Sequence, residues 1–270
     1  MDFFRINRQI AYQGSIGEQR RDFCLSYIEK KKDVLKAIAE AQLRETAARN
    51  ETITCAEGCA YCCLLHVEAT IQECEAVVYY LYHHETALNN FLRKYPSWRS
   101  AIRKNGDLFR RLGELSREIF SFQFNHGNSS PDYIARREQE FTAAQKRYAQ
   151  QNIACPFLDN QRCSIYEVRP YNCAGFSATS PAEWCNPLNP KEPTIHRSDL
   201  PAEVIFDLNF YYKPLKGPVF SFLPLAVYEI LKDGYAYLAT IPGFEDLELE
   251  AISDPNVDKI LKNIRRLNQL

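Results

Sequence analysis

The sequence predicts a mainly α protein: a single helical domain with cysteine-rich loops and a short β-hairpin. Three observations carry this reading. Apolar residues recur at helical spacing through most of the chain before residue 152. Strand-like alternation is confined to short stretches. The cysteines stand in two tight groups, both in turn-rich segments.

The elements follow in order. Residues 17–49 read as one long helix, with Phe23, Tyr27, Val34 and Ala41 on an apolar stripe and Lys30-Lys31-Lys32 expected on a solvated face. Residues 64–70 suit a short strand or extended leg. Thr70-Ile-Gln-Glu73 is a capping box that opens a helix over 71–84, with Ile71, Cys74, Val78 and Leu81 facing inward. Cys74, and Cys24 by the same spacing argument, are small core residues rather than ligands. Leu108, Leu112, Leu115 and Ile119 predict a helix between Trp98 and Phe124, and a polar helix follows over 132–152. Asp159-Asn160 is turn chemistry, so Cys155 and Cys163 are expected to face each other across a hairpin. Ser164-x-x-Glu167 has the form of a second capping box, stopped by Arg169-Pro170. Beyond Cys185 the chain reads as a proline-bearing loop, helical pieces at 201–212, 224–232 and 255–268, and a strand near 235–240. No fixed-period repeat and no clean linker interrupt it. The organisation expected is an N-terminal helical segment (1–54), a cysteine-bearing domain (55–185) and a C-terminal helical extension (186–270) on the same core.

Composition bounds the function. With 33 Lys+Arg against 34 Asp+Glu, the 270-residue chain offers no electrostatic reason to bind nucleic acid or an anionic membrane. No apolar run approaches the length of a membrane helix. Met1–Arg8 lacks the apolar stretch of a secretory signal, so a cytoplasmic setting is expected. There the ten cysteines are unlike a disulfide framework, and metal binding or redox chemistry becomes the default reading.

Eight of the ten carry that reading. Cys55, Cys59, Cys62 and Cys63 form a C-x3-C-x2-C-C group, in which Gly58 supplies a permissive dihedral. Cys155, Cys163, Cys173 and Cys185 form the second. Short spacings let a tight turn aim successive thiolates at one centre. Cys62 and Cys63, being adjacent, point apart, so they serve different metals or one of them bridges. Eight thiolates match two tetrahedral four-thiolate sites, or one cluster with spare cysteines. Random burial of free thiols does not give two such groups. The ligand set predicted is Cys55, Cys59, Cys62, Cys63, Cys155, Cys163, Cys173 and Cys185. Zinc or an iron–sulfur cluster is the expected cofactor, and the C-x3-C-x2-C spacing favours iron–sulfur. His66, the one histidine near a group, reads as an ordinary half-buried residue. No P-loop, dinucleotide fingerprint, G-x-S-x-G or Glu-x-x-His pair is present, and no catalytic residue can be named.

Cys55, Cys59, Cys62 and Cys63, then Val67, Thr70 and Glu73-x-Glu75-Ala76, then Cys155-Pro-Phe-Leu, Cys163-Ser-Ile-Tyr-Glu-Val-Arg-Pro-Tyr-Asn-Cys173 and Cys185 together resemble the zinc- or iron-chelating cysteine-cluster proteins of the YkgJ family. The resemblance covers roughly 55–185 and implies metal chelation. The chain departs from the family where Ala174-Gly175-Phe176-Ser177 stands in place of Arg and a closing Phe-Pro. Charge compensation must then come from elsewhere, with Arg162 and Arg169 the candidates. The upstream group and Cys155-Pro-Phe also resemble flagellin lysine methylases, which implies an iron–sulfur, S-adenosylmethionine-dependent enzyme as the alternative. Cys55-x3-Cys59-x2-Cys62 is similar to the radical S-adenosylmethionine signature too, but that chemistry needs alternating strands and helices after the motif, where helix follows helix here.

Overall fold

The first helix owes its length to one continuous buried stripe. In the computed structural model, which describes Arg8 and residues 11–56, 58–125, 130–197 and 219–241, helix α1 spans Gly14–Ala48. Ile16, Arg20, Phe23, Tyr27, Lys31, Ile38, Gln42 and Thr46 are buried along it at helical spacing. Lys31 corrects the expected solvated lysine run. It falls four residues after Tyr27, on the stripe itself, and is buried at 1% exposure, while Lys30 and Lys32 are exposed.

A 3-10 turn at Tyr61–Leu64 precedes strand β1, Glu68–Thr70, so the expected extended leg is a strand only in its second half. The capping box forms as the sequence predicts. Thr70 Oγ1 accepts from Glu73 N at 3.2 Å, and the Glu73 carboxylate accepts from Thr70 N at 3.0 Å. It opens α2, Ile71–His83, whose first turns are buried on every side.

The helix expected between Trp98 and Phe124 is in fact two, α3 (Glu85–Lys104) and α4 (Gly106–Asn125), parted at Asn105. Pro96 lies inside α3 and does not end it. Ala87, Leu88, Phe91, Tyr95, Trp98 and Ile102 keep one buried face across the proline, and that burial outweighs the lost backbone hydrogen bond. Helix α5, Pro131–Ala149, starts at a Ser130 cap and packs along α4.

The downstream cysteine segment is built from small pieces. Strands β2 (Leu158–Asp159) and β3 (Arg162–Cys163) form the hairpin, and Asn160 and Gln161 both have positive φ (46° and 61°), as a two-residue type I′ loop requires. The partner of Cys163 across it is Leu158 rather than Cys155. A 3-10 turn at Tyr166–Val168 follows, but the expected second capping box is absent. That turn has no side-chain cap, and the buried Ser164 hydroxyl has no hydrogen-bond partner among the described residues. Pro170 arrives before a helix long enough to need a cap can form. Then come α6 (Tyr171–Ala174), β4 (Phe176–Ala178), a 3-10 turn at Ala182–Cys185 and β5 (Ile195–Arg197), antiparallel to β4.

Strand β6, Phe220–Phe222, pairs antiparallel with β1 and runs directly into α7, Leu223–Asp233, which lies against α2 at the centre of the core. The strand expected near 235–240 is instead a helical turn, α8 (Tyr235–Leu238). Gly234, at φ 54°, separates α8 from α7, and the i, i+3 pair Tyr235 and Leu238 then buries together. The helical pieces expected at 201–212 and 255–268 lie outside the described residues. Among the described residues no helix is long and apolar enough to cross a membrane, and the stretch from Cys63 to Cys155 holds four helices and one short strand rather than a βα barrel.

Candidate metal centre

The two cysteine groups meet through the backbone. Cys155 N donates to Cys63 O at 2.8 Å, across the whole helical insertion between them. The upstream loop is also stitched to β4. Thr54 N donates to Ala178 O at 2.8 Å, Thr54 Oγ1 lies 2.5 Å from Ser180 O, and Ala178 N donates to Cys55 Sγ at 3.2 Å. Gly58, at φ 90°, makes the turn between Cys55 and Cys59, where open space surrounds its missing Cβ and only the dihedral demands glycine.

On the other side the hairpin is fastened to α3. Phe157 stacks on Phe91 at 4.5 Å, and Asp159 accepts from Lys94 Nζ at 2.7 Å and Asn90 Nδ2 at 3.0 Å. The α6 turn that carries Cys173 is fastened to α2, because Tyr171 N donates to Glu73 Oε1 at 2.9 Å. The same oxygen takes Lys31 Nζ, also at 2.9 Å. Beside it the Arg20 guanidinium donates to Glu75, a second fully buried pair between α1 and α2. The sequence placed Glu73 and Glu75 in a motif but gave no sign of their basic partners. Arg20 and Lys31 do fall on the buried stripe of α1, but periodicity within one helix does not say which carboxylates they face.

Backbone N–H groups converge on the sulfurs. Those of Tyr61, Phe157 and Ile165 each favour the ionised form of the cysteine two residues earlier, Cys59, Cys155 and Cys163. Burial works against ionisation. It is the leading cause that lifts Cys155 to about 12 and Cys185 to about 11, and it raises Cys59, Cys163 and Cys173, with neighbouring thiols adding to the rise. Cys62 and Cys63 split. Their mutual hydrogen bond draws Cys62 down to about 7 and drives Cys63 up, and the Arg169 charge further favours the Cys62 thiolate. Arg169 also favours the thiolate of Cys163, and its buried Nε has no hydrogen-bond partner among the described residues. Of the two arginines proposed for charge compensation, Arg169 is therefore in place, while Arg162 is exposed on the hairpin.

The donor set fits a soft or borderline metal. All eight groups are thiols, pre-aimed backbone donors stabilise sulfur anions, and burial discourages bare thiolates. A bound cation supplies the positive charge that such a set lacks. The thiols are neighbours rather than a closed coordination sphere: among the described residues no three His, Cys, Asp or Glu side chains already stand at metal-holding distances. Cys24 and Cys74 are core residues at 0% exposure.

His66 is more deeply buried than the sequence indicates. Its ring stacks on Phe222 at 4.2 Å, and its backbone is clamped at both ends by Gln145, each bond 3.1 Å. Its Nδ1 has no partner among the described residues, and burial lowers its pKa to about 3. Neighbouring Glu68 accepts from the Ser116 hydroxyl, and burial lifts its pKa to about 7.

Fold and site together define a mainly helical protein in which a backbone hydrogen bond joins two cysteine groups distant in sequence. Residues 126–193 match the sequence model of the CxxCxxCC family, described as a "Putative zinc- or iron-chelating domain". The matched segment contains Cys155, Cys163, Cys173 and Cys185, and so supports the cysteine-cluster resemblance and metal chelation on the downstream side. The upstream group lies outside it. The comparisons with curated proteins and with solved structures found no match.

Proposed function

We propose that this chain is a cytoplasmic metal-binding protein that holds zinc or an iron–sulfur centre through Cys55, Cys59, Cys62, Cys63, Cys155, Cys163, Cys173 and Cys185. The observation that carries the reading is the 2.8 Å bond from Cys155 N to Cys63 O, which brings the two thiol groups into one region. The backbone donors aimed at Cys59, Cys155 and Cys163 support it, since such donors lower the cost of a thiolate. The chelating-domain match over 126–193 supports it independently. Between the two metals, the C-x3-C-x2-C spacing favours iron–sulfur.

On this reading residues 55–185 are the metal-holding unit, and 1–54 and 186–270 are helical extensions that brace it. Metal binding closes a long loop, so it contributes to folding as well. The test is Cys163→Ser in reduced, full-length protein: metal content and melting temperature are expected to fall together. Full metal content with an unchanged melting curve would overturn the proposal.

A further inference from the structure

We infer that Thr54 is a positioning residue for the candidate metal centre: clamped to β4, it delivers the exposed Cys55 to the site before any metal binds. This rests on the metal-binding reading above and adds a residue outside the cysteine set that acts through one of its members.

Cys55 is the exposed member of the eight clustered thiols. Burial therefore does not hold it in place, whereas Cys155, Cys163 and Cys173 pack against the main hydrophobic core. What fixes Cys55 is the strap that leads to it, residues 49–55. Helix α1 ends in a Schellman turn, in which Asn50 takes a φ of 57°, Asn50 N donates to Ala47 O at 3.0 Å and Glu51 N to Thr46 O at 2.9 Å. The chain leaves that turn along the β4–β5 hairpin. At the start of the strap, His196 of β5 stands between Arg49 and Glu51. Arg49 Nη1 lies 3.1 Å from its Nδ1, and Glu51 Oε2 lies 2.7 Å from its Nε2.

At the end of the strap Thr54 is held twice. Its N–H donates to Ala178 O at 2.8 Å, and its hydroxyl, with one proton to give, has Ser180 O at 2.5 Å and Ala178 O at 3.1 Å. In a regular antiparallel pair the N–H of Ala178 would return to Thr54 O. Here it goes to Cys55 Sγ at 3.2 Å, so the clamp on Thr54 also sets the donor that meets the sulfur. Such a donor favours a thiolate.

The same strand leads back to the downstream group. Strand β4 follows Cys173 through Gly175, whose carbonyl accepts from Gln42 Nε2 of α1 at 3.2 Å. The far end of the upstream group is tied by the bond from Cys155 N to Cys63 O at 2.8 Å. Backbone bonds to the downstream segment thus hold the upstream loop at both ends, at Thr54 and at Cys63. The Thr54 hydroxyl is the side-chain part of that bracket, and it lies next to an exposed ligand that packing does not orient.

The experiment measures the zinc affinity of reduced, full-length protein by competition with a chromogenic chelator. Thr54→Val keeps the branched shape and removes the donor. It is expected to bind zinc about 10- to 100-fold more weakly than wild type, whereas Thr54→Ser, which keeps the hydroxyl, is expected to bind as wild type does. Thr54→Val added to Cys55→Ser is expected to cause no further loss, because the clamp acts through that sulfur. Wild-type affinity in Thr54→Val, an equal loss in Thr54→Ser, or the full loss repeated in the Cys55→Ser background would each overturn the positioning role while leaving metal binding intact. If Thr54→Val does not fold, hydrogen exchange in the metal-free wild type decides the matter. The Thr54 amide is expected to be protected before zinc is added, and exchange at the rate of an open loop would overturn the role. A wild-type chain that takes up no zinc would overturn the metal-binding reading, and the positioning role with it.

Discussion

Lys31 Nζ lies 2.9 Å from Glu73 Oε1 in a region closed to water, and that oxygen also accepts the N–H of Tyr171, two residues before Cys173. One carboxylate thus ties α1, the capping box of α2 and a cysteine-bearing turn to a single point. A buried pair of this kind adds little over an apolar pair of equal volume, but losing one partner strands a charge. Lys31→Met is therefore expected to destabilise the fold by about 3–5 kcal/mol, read from urea denaturation. The double variant Lys31→Met with Glu73→Gln should recover part of that loss. A single variant within about 0.5 kcal/mol of wild type, the usual range for a surface substitution, would show that the pair does not hold the three segments together.

That relationship also marks the limit of what the sequence discloses. The helices with clear periodicity were legible, and so were the Thr70–Glu73 box, the hairpin at Asp159-Asn160 and the core placement of Cys24 and Cys74. The charged partners of Glu73 and Glu75 were not. A lysine within a run of lysines looks solvated until a carboxylate from a segment remote in the chain faces it. The start of α3 at Glu85 was not legible either, because the buried face that carries this helix through Pro96 is set by tertiary packing. The eight clustered cysteines were visible as a set. How the groups meet depends on a backbone bond between residues 63 and 155, which no local pattern encodes.

His66 and Glu68 predict opposite pH effects. Burial holds His66 near 3, so the unfolded chain takes up a proton below about 6.5 that the folded chain refuses. Its contribution is full above about 6.5 and is lost as the pH falls towards 3. His66→Phe, which keeps a ring on Phe222 and removes the unpartnered Nδ1, is expected to flatten the acid limb of the stability curve. An unchanged acid limb in urea titrations across pH 3–7 would contradict it.

Glu68 runs the other way. Its pKa of about 7 in the fold, against 4.5 ordinarily, means that the folded chain keeps a proton which the unfolded chain has released. Stability from this group is present below about 4.5 and is lost as the pH rises to about 7. Glu68→Gln should gain on wild type across that window by an amount on the order of 3 kcal/mol. A pH-independent difference between the two proteins would refute this.

Arg169 supplies positive charge to the thiols, acting on Cys62 and Cys163. Arg169→Met is expected to weaken zinc binding and to move acid-induced zinc release to higher pH, because protons then compete more effectively for the sulfurs. Release at the wild-type pH would show that the arginine serves only to pack on Tyr166, whose ring it covers at 3.8 Å.

Cys74 and Cys24 make the negative control. Cys74→Ser places a hydroxyl at a position with 0% exposure, and is expected to cost about 1–3 kcal/mol of stability with no change in metal content. Loss of metal from this variant would move Cys74 into the ligand set.

The central claim is that the clustered thiols hold a metal, and anaerobic purification followed by elemental analysis and an absorption spectrum tests it most directly. Stoichiometric zinc or iron is expected, with iron accompanied by acid-labile sulfide and the broad visible absorption of an iron–sulfur centre. Protein that is folded, fully reduced and free of both metals after such a preparation, and that takes up neither on reconstitution, would contradict it.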